Sequence, residues 1–383
     1  MVASGPPDQV LHLIESMRLD HGGPVSVVTE LARAQASRGM KVSVATSWSR
    51  LTSHDWETIE QRWIGLDVRR IDARRDSLKA CIRTAASGTV LHAHGVWDRR
   101  VVYGCRLAFR LGVPWIVSTH GMLHPRALAH HRWRKELFIL ATGRMTLNPK
   151  HLLVLNEAEA IEVRRRTGGL ADILPNGVDP SNFTAGDGGL AFRRLCPGLG
   201  DRPYVLFVGR LHPIKGTDAL IRAFGHARRQ GLRADLVMAG PDEGARQLAY
   251  EAAKQSQVLE HVHFPGRISG EVRSSAYSGC RVFAHRPVYE GFGLAVIEAL
   301  ASGKQVITTR RCELDGSGAG PFLTWAPDSD DGFGDALVQA VKLASDAPNT
   351  LAQDWVGRRY SWESIATQAL SAYTRASQAC AAC

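Results

Sequence analysis

Val10-Leu11-His12-Leu13-Ile14, then Val25 to Arg38, then Val42-Ser43-Val44-Ala45: this opening stretch decides the fold. The first run is short and apolar, as a buried strand requires. Val27, Val28, Leu31, Ala32 and Ala34 then recur at helical spacing. Gly39 suits a helix C-terminus, and the third run resumes as a strand. Strand, helix, strand is a βαβ unit, and successive units build a parallel sheet with helices on both faces. The pattern continues with a strand at Val90–His94, a helix from about Arg99 to Leu111, and strands at Pro114–Ser118 and Leu152–Leu155. Asn156-Glu157-Ala158-Glu159-Ala160 opens a further helix. A second series begins at Tyr204-Val205-Leu206-Phe207-Val208 and runs through strands at 234–239, 262–264, 280–284 and 305–308. The expected fold is α/β, with two Rossmann-like domains facing each other across a cleft and ligands beyond the C-terminal ends of the strands. Expected boundaries are 1–180 for the first domain, 181–202 for a Gly, Asp, Pro and Ser-rich linker, and 203–361 for the second.

The chain has 383 residues, 44% of them hydrophobic and 22% charged, which excludes a largely disordered protein. No apolar run is long enough to span a bilayer. The first residues lack the basic and apolar regions of a signal peptide, so a cytoplasmic location is expected. The seven cysteines are odd in number and mostly isolated, unlike a disulfide framework. Cys380-Ala-Ala-Cys383 is the only close pair, and an inert tail is expected there. The net charge of +10 favours polyanionic partners. There is no zinc-finger spacing, no aromatic RNA-binding pattern and no long Lys/Arg tract, so no nucleic-acid partner is expected.

Four places carry chemistry. In Glu290-Gly291-Phe292-Gly293-Leu294-Ala295-Val296-Ile297-Glu298 two glycines precede a helix. The first helix amides lack intrahelical acceptors and favour an anion such as phosphate. The flanking acids Glu290 and Glu298 only accept hydrogen bonds when ionised, which suits sugar hydroxyls. In Gly209-Arg210-Leu211-His212-Pro213-Ile214-Lys215-Gly216, two cations follow a strand end. Arg forks onto phosphate oxygens and Lys adds a point charge. Gly22-Gly23, at the first turn, lets backbone approach a ligand, but it departs from the nicotinamide-binding fingerprint. His120 ends a strand. His92 and His94 share one strand face, a spacing that permits metal ligation, but no third ligand is apparent, so no metal site is expected.

Together these segments resemble the retaining glycosyltransferases of family 4, which have the GT-B fold. The resemblance rests on Gly22-Gly23, Thr119-His120-Gly121-Met122-Leu123, Asn156-Glu157-Ala158-Glu159, Pro175-Asn176-Gly177-Val178-Asp179, Gly209-Arg210 with Lys215-Gly216, the two acids Glu290 and Glu298, and Tyr360-Ser361-Trp362-Glu363. It spans residues 10 to about 375, and it implies a last helix at about 362–383 that returns to the first domain. His94-Gly95-Val96-Trp97 and the segment 120–125 most resemble enzymes of exopolysaccharide or O-antigen synthesis. The resemblance implies that Arg210 and Lys215 hold a donor diphosphate and that Glu298 binds the nucleotide ribose. It puts Glu290 near the transferred sugar, the amides of Gly293, Leu294 and Ala295 on sugar or phosphate, and His120 in the cleft near the donor sugar. It makes Gly22 and Gly23 the loop over the diphosphate. The implied catalytic set is His120, Glu290, Arg210 and Lys215. The donor is a UDP- or GDP-activated hexose, the acceptor a glycan or lipid-linked glycan, and no cofactor or metal is needed. Same-face transfer and double displacement both remain open, as do an epimerase of the same fold and a non-catalytic sugar- or lipid-binding homologue.

Three positions depart from the family pattern: Arg281, Arg286-Pro287 and Gln305. An extra Arg near the donor sugar would bear on sugar choice, or be a surface change. A basic segment at 126–144, with Arg126, Arg132, Arg134 and Lys135 interleaved with Leu128, Trp133, Leu137 and Phe138, reads either as an amphipathic helix for an anionic membrane face or as a solvated helix.

Overall fold

The structure is a computed structural model and describes residues 7–18, 23–46, 51–64, 68–72, 75–83, 88–129, 131–184 and 186–381. The chain divides into two units, Met1–Gly177 with Trp362–Cys383, and Val178–Ser361. The first is built on β1 (Gln9–Ile14), β2 (Lys41–Thr46), β3 (Val68–Asp72), β4 (Thr89–His94), β5 (Trp115–Ser118), β6 (Leu152–Val154) and β7 (Asp172–Ile173). All neighbours pair in parallel, in the order β3-β2-β1-β4-β5-β6-β7. The second unit has β8 (Tyr204–Val208), β9 (Asp235–Ala239), β10 (Val262–Gly266), β11 (Val282–His285), β12 (Gln305–Thr308) and β13 (Leu323–Trp325). Its order is β10-β9-β8-β11-β12-β13, again all parallel. Each order reverses direction after its first strand, at β1/β4 and at β8/β11. That crevice is where doubly wound sheets bind ligands.

Alternation along the strands sorts side chains between two cores. Leu11, Leu13 and Leu91 pack with Val101, Cys105 and Ala108 of helix Arg99–Leu111. Val10, Ile14 and Val90 face the other way, onto Val28, Leu31 and Ala32 of helix Gly23–Ser37 and onto Ile365, Ala369 and Tyr373 of helix Trp362–Ala381. His12, His92 and His94 share the parity of this second set, which places three imidazoles under the two helices.

Some expectations need correction. The stretch 181–202 is no linker. It folds into helices Ser181–Thr184 and Leu190–Leu195 within the second unit, because Phe183, Phe192 and Leu199 supply apolar anchors that its polar composition obscures. The change of unit falls instead at Gly177/Val178 and Ser361/Trp362. The basic segment is two helices, Pro125–Ala129 and Arg132–Thr146, separated where His131 takes a positive φ of 53°. Helix Trp362–Ala381 runs on through Cys380, whose sulfur reaches the Gly112 carbonyl at 3.4 Å, so that cysteine is not in a loose tail. Cys383 and Gly22 lie outside the described residues.

Gly177 lets the C-terminal helix seat. A Cβ there would lie 2.5 Å from the Trp362 ring. Gly177→Ala is expected to destabilise the first unit by about 1–3 kcal/mol through overpacking. Hydrogen exchange should show faster exchange across residues 362–381, with the strands of the second unit unchanged.

Candidate active site

The first unit offers a turn and a hydrogen-bonded chain. After β5 the backbone turns through Thr119-His120-Gly121, with φ of 51° at His120 and 82° at Gly121. A non-glycine residue in this region is strained, and such strain persists only where surroundings over-determine it. Glu159 supplies the constraint. Its buried carboxylate accepts from Thr119 Oγ1 (2.7 Å), Gly121 N (3.2 Å), Leu123 N (2.8 Å) and Leu155 N (2.8 Å). Asn156 caps the same helix by accepting from the Glu159 amide at 2.9 Å. The sequence motif contained Glu159 without disclosing this role; an acid at the third position of a capped helix, next to a strand end, was the available signal.

Behind the turn, His120 Nε2 lies 2.9 Å from His94 Nδ1, and His94 Nε2 lies 2.9 Å from His12 Nδ1. His12 Nε2 reaches Gln35 Oε1 at 2.7 Å, and Gln35 Nε2 donates to the Tyr373 hydroxyl at 2.9 Å. Tyr373 Oη is 2.6 Å from His92 Nδ1, whose Nε2 is 2.7 Å from Ser118 Oγ. Burial holds the His12 and His120 pKa values down to about 4. Burial, then the neighbouring imidazoles, pushes those of His92 and His94 well below the ordinary value. The rings are therefore neutral at pH 7. The fold does supply the third imidazole that strand spacing concealed, since nitrogens of His12, His92 and His94 lie within 4.8 Å of one another. Every ring nitrogen of the three is already hydrogen-bonded, so an ion there would have to break the chain.

A larger cavity lies beside β1 and β4, lined by Glu15, Ser16, Val25, Trp97, Asp98 and Met122 among others. Arg100 bridges its two acids, 3.4 Å from Glu15 and 3.3 Å from Asp98. Gly23 opens helix Gly23–Ser37 with nothing near the position of a Cβ.

The second unit holds the charges. Glu290 forms an ion pair with Lys215 and lies 3.2 Å from His285 Nε2. Burial raises the Glu290 pKa, but the His285 contact and the Lys215 charge outweigh it and hold the carboxyl far below the usual range. Its backbone is clamped as well: Glu290 N donates to Arg311 O at 2.9 Å and Glu313 N to Glu290 O at 2.8 Å. Lys215 ends a short turn that Gly216, at φ 61°, converts into helix Thr217–Arg229. A Cβ on Gly216 would meet the Arg286 carbonyl at 2.2 Å, so this close approach requires glycine. Arg210 is 56% exposed and pairs with Glu243 at 2.5 Å. Gly293 caps helix Leu294–Ala301 at φ 80°, and the amides of Leu294 and Ala295 open that helix beside Glu290 in sequence. Glu298, on the same helix, is buried; it pairs with Arg273 and accepts from the Tyr277 hydroxyl at 2.7 Å.

Glu290 and Lys215 are thus brought together, while Arg210 is held separately by Glu243. His285, Glu243, Arg273 and Tyr277 were missed by the sequence reading: Glu243, Arg273 and Tyr277 gain their meaning from partners 21 to 33 residues away, and His285 from Glu290 five residues on, a spacing that belongs to none of the motifs read. The departures are structural. Arg286 is 6% exposed, pairs with Asp330, donates to the Ala219 carbonyl at 2.7 Å and lies over the Phe333 ring. Arg281 pairs with Asp346. Gln305 donates to the Pro321 carbonyl at 2.9 Å. All three groups make contacts within the second unit.

Residues 21–182 match the family described as Glycosyltransferase Family 4, and residues 197–315 match Glycosyl transferases group 1. With two parallel doubly wound sheets, these two partial matches support a glycosyltransferase of the GT-B fold, family-4-like in type. The chain is 28% identical over 93% of its length to a D-inositol 3-phosphate glycosyltransferase of Actinosynnema mirum, covering 93% of that protein. It is similar in fold to Anabaena HepE, solved with UDP and glucose, at TM-score 0.70 and 17% identity over 95% of this chain and 98% of the other. WaaG, a glycosyltransferase involved in lipopolysaccharide biosynthesis, aligns at TM-score 0.62 and 18% identity over 94% and 98% of the two chains.

The neutral imidazoles set a pH dependence. Below about 6.5 the unfolded chain binds protons on His12, His92, His94 and His120 that the folded chain refuses. Stability of the first unit should therefore fall as pH drops from about 6.5 toward 4, by up to about 1.4 kcal/mol per pH unit for each ring. Amide exchange on β1 and β4, measured between pH 7 and 4.5, should report the loss once corrected for intrinsic rates. A flat profile contradicts neutral rings.

Proposed function

We propose that the protein is a retaining hexosyltransferase. It moves a hexose from a UDP- or GDP-activated donor to a glycan or polyprenyl-linked glycan in cell-surface polysaccharide synthesis, without a metal. The observation that carries this reading is the Lys215–Glu290–His285 group at the β8/β11 switch point, beside the opening of helix Leu294–Ala301. Lys215 and Glu290 neutralise each other in the free protein. A diphosphate competes for Lys215 and leaves Glu290, still anionic beside His285, to accept from sugar hydroxyls. The same exchange lets Arg210 leave Glu243 for phosphate. As the leaving group departs, negative charge grows on the diphosphate, and preorganised cations and helix amides stabilise it. Glu298 contributes its remaining lone pairs to the ribose. HepE, which shares the fold, was solved with UDP-glucose, in keeping with a nucleotide-sugar donor.

The cavity beside Trp97 supports a neutral, hydroxyl-bearing acceptor end. Trp97 and Met122 offer apolar surface, and the two acids favour hydroxyl donors over phosphate. The names of the curated relatives point instead to an inositol phosphate, and an acceptor panel separates the two. Turnover on polyprenyl-linked glycans supports the proposal, and turnover only on phosphorylated cyclitols overturns it.

The donor half is tested by thermal shift with UDP, GDP, ADP and their sugars, with and without EDTA. One nucleotide family should stabilise the protein, unaffected by EDTA. Lys215→Ala should weaken that nucleotide about 10- to 100-fold, the worth of one charge-assisted hydrogen bond. Unchanged affinity removes Lys215 from the site.

The acceptor's lipid also calls for a membrane contact. No helix among the described residues is long and apolar enough to cross a membrane. Helix Arg132–Thr146 instead exposes Trp133 (64%), Leu137 (58%) and Leu140 (82%) one turn apart, with Arg132 and Arg134 alongside. Phe138, by contrast, packs edge-on against Trp97 at 5.7 Å. Replacing Trp133, Leu137 and Leu140 by Ser is expected to abolish sedimentation with vesicles containing anionic lipid. Full retention on vesicles refutes the contact.

A further inference from the structure

The hydrogen-bonded chain behind His120 has a direction, and that direction decides what His120 offers a ligand. Gln35 fixes it. The amide oxygen faces His12 and only accepts, so His12 Nε2 carries the proton. A neutral imidazole has one N–H, so His12 Nδ1 is bare and must accept from His94 Nε2. His94 Nδ1 is then bare and must accept from His120 Nε2. The same rule runs the other way. The amide nitrogen of Gln35 donates to the Tyr373 oxygen, the Tyr373 hydroxyl donates to His92 Nδ1, and His92 Nε2 donates to Ser118 Oγ. One amide orientation therefore aligns His120, His94, His12, Gln35, Tyr373, His92 and Ser118 as a single polarised series. Both ends, His120 and Ser118, line one small cavity together with Leu155, Pro175 and Asn176. Reversing any member forces two donors or two lone pairs together in a buried site, at about 1–3 kcal/mol for each unmet group, so the series changes polarity only as a whole.

We propose that Gln35, His12 and His94 are positioning residues that lock His120 in the Nε2–H tautomer, so that its bare Nδ1 accepts a hydrogen bond from a hydroxyl of the transferred sugar while Ser118 keeps its proton free to donate into the same cavity. The assignment of the ligand as a sugar rests on the transferase reading; the tautomer lock does not. None of the three residues needs to touch the sugar. No carboxylate hydrogen-bonds or pairs with the four rings among the contacts of the described residues, so the series transmits orientation rather than charge. Lone-pair direction is the quantity it controls, which is why an amide, whose two ends differ, is the residue at its centre.

The test reads the tautomer directly, without substrate. Long-range ¹⁵N–¹H correlation spectra of the full chain at pH 7.5 should show His120 neutral, with Nε2 protonated and Nδ1 bare. Gln35→Met removes both amide contacts at similar volume and should leave His120 as a mixture of tautomers. Tyr373→Phe, which cuts only the branch to His92, should leave His120 in the Nε2–H form. If Gln35→Met does not fold, His12→Asn interrupts the same path and is read the same way. A wild-type His120 protonated on Nδ1 overturns the proposal, and so does a His120 tautomer insensitive to Gln35→Met. Binding then separates the two readings. UDP and UDP-glucose, or GDP and GDP-mannose, are titrated into wild type and Gln35→Met. The free nucleotide should bind both proteins equally, and the intact sugar nucleotide should lose about tenfold in the variant, the scale of one hydrogen bond. Loss of the bare nucleotide as well overturns the positioning role. No nucleotide binding to wild type sinks the transferase reading and leaves the tautomer result standing on its own.

Discussion

One buried carboxylate underlies the His120 turn of the first unit. Glu159 accepts four hydrogen bonds, three of them from backbone amides and one from Thr119. Without it, the buried amide of Leu123 and the partly buried amides of Gly121 and Leu155 would be donors in search of an acceptor, and His120 would have no reason to keep a positive φ. Strain of about 1–3 kcal/mol at such a residue survives only if the surroundings repay it. The carboxylate sits in the first turn of helix Glu157–Thr167, where the helix dipole favours negative charge. Asn156 starts that helix, the helix places Glu159, and Glu159 shapes the turn. The placement of His120 thus depends on a chain of local causes that begins with one cap.

The second unit solves a different problem with similar economy. There a carboxylate, a lysine and a histidine must stay close without collapsing into an inert pair. Main-chain clamps on Glu290 and the glycine-enabled approach of Gly216 to the Arg286 carbonyl hold the loops, so the side chains do not have to. Gly240 does the same for Arg210: a Cβ there would lie 1.7 Å from the Gly209 carbonyl, so the strand ends meet backbone to backbone. Arg286 is consumed in this framework through Asp330 and the Ala219 carbonyl. A cation beside the site in sequence can be remote from it in chemistry.

The sequence disclosed the fold well because buried parallel strands are written as apolar runs. Val10–Ile14, Val90–His94 and Tyr204–Val208 are such runs, and all three are strands. β3, Val-Arg-Arg-Ile-Asp, and β13, Leu-Thr-Trp, were not legible: one lies at a sheet edge and carries arginines, and the other is three residues long. The linker reading at 181–202 failed because composition averages over the anchors Phe183, Phe192 and Leu199, which decide the packing. Residues that follow strand ends could be named from the sequence as candidates: His120, Arg210, Lys215 and Glu290. Glu159, Gln35, Tyr373 and His285 were not among them. Gln35 and Tyr373 act on each other across 338 residues, and Thr119 lies 40 residues from Glu159, distances about which local spacing carries no information. Glu159 and His285 also have near partners, Leu155 and Glu290, but neither spacing marks a hydrogen bond by itself.

The two units divide labour along a line that electrostatics explains. A buried charge must be paired or hydrogen-bonded, or it is expelled. In the first unit the series behind His120 consists of imidazoles, hydroxyls and an amide, its imidazoles kept neutral by burial and ordered by direction, while the buried Glu159 carboxylate is met by four hydrogen bonds. In the second unit the polar groups are ions, each matched to a counter-ion of the same unit: Lys215 with Glu290, Arg210 with Glu243, Arg273 with Glu298. Matched pairs keep each cation beside a counter-ion, Arg210 at an exposed position and Lys215 at a covered one, and on the proposed function a diphosphate takes over a cation by exchange rather than by burying a new one. A hydroxyl brings no charge to exchange and asks only for a lone pair in the right place. Fixed tautomers in one unit and exchangeable ion pairs in the other are what the proposed transfer of a neutral sugar from an anionic carrier would use. Each kind of group sits in the unit whose burial can sustain it.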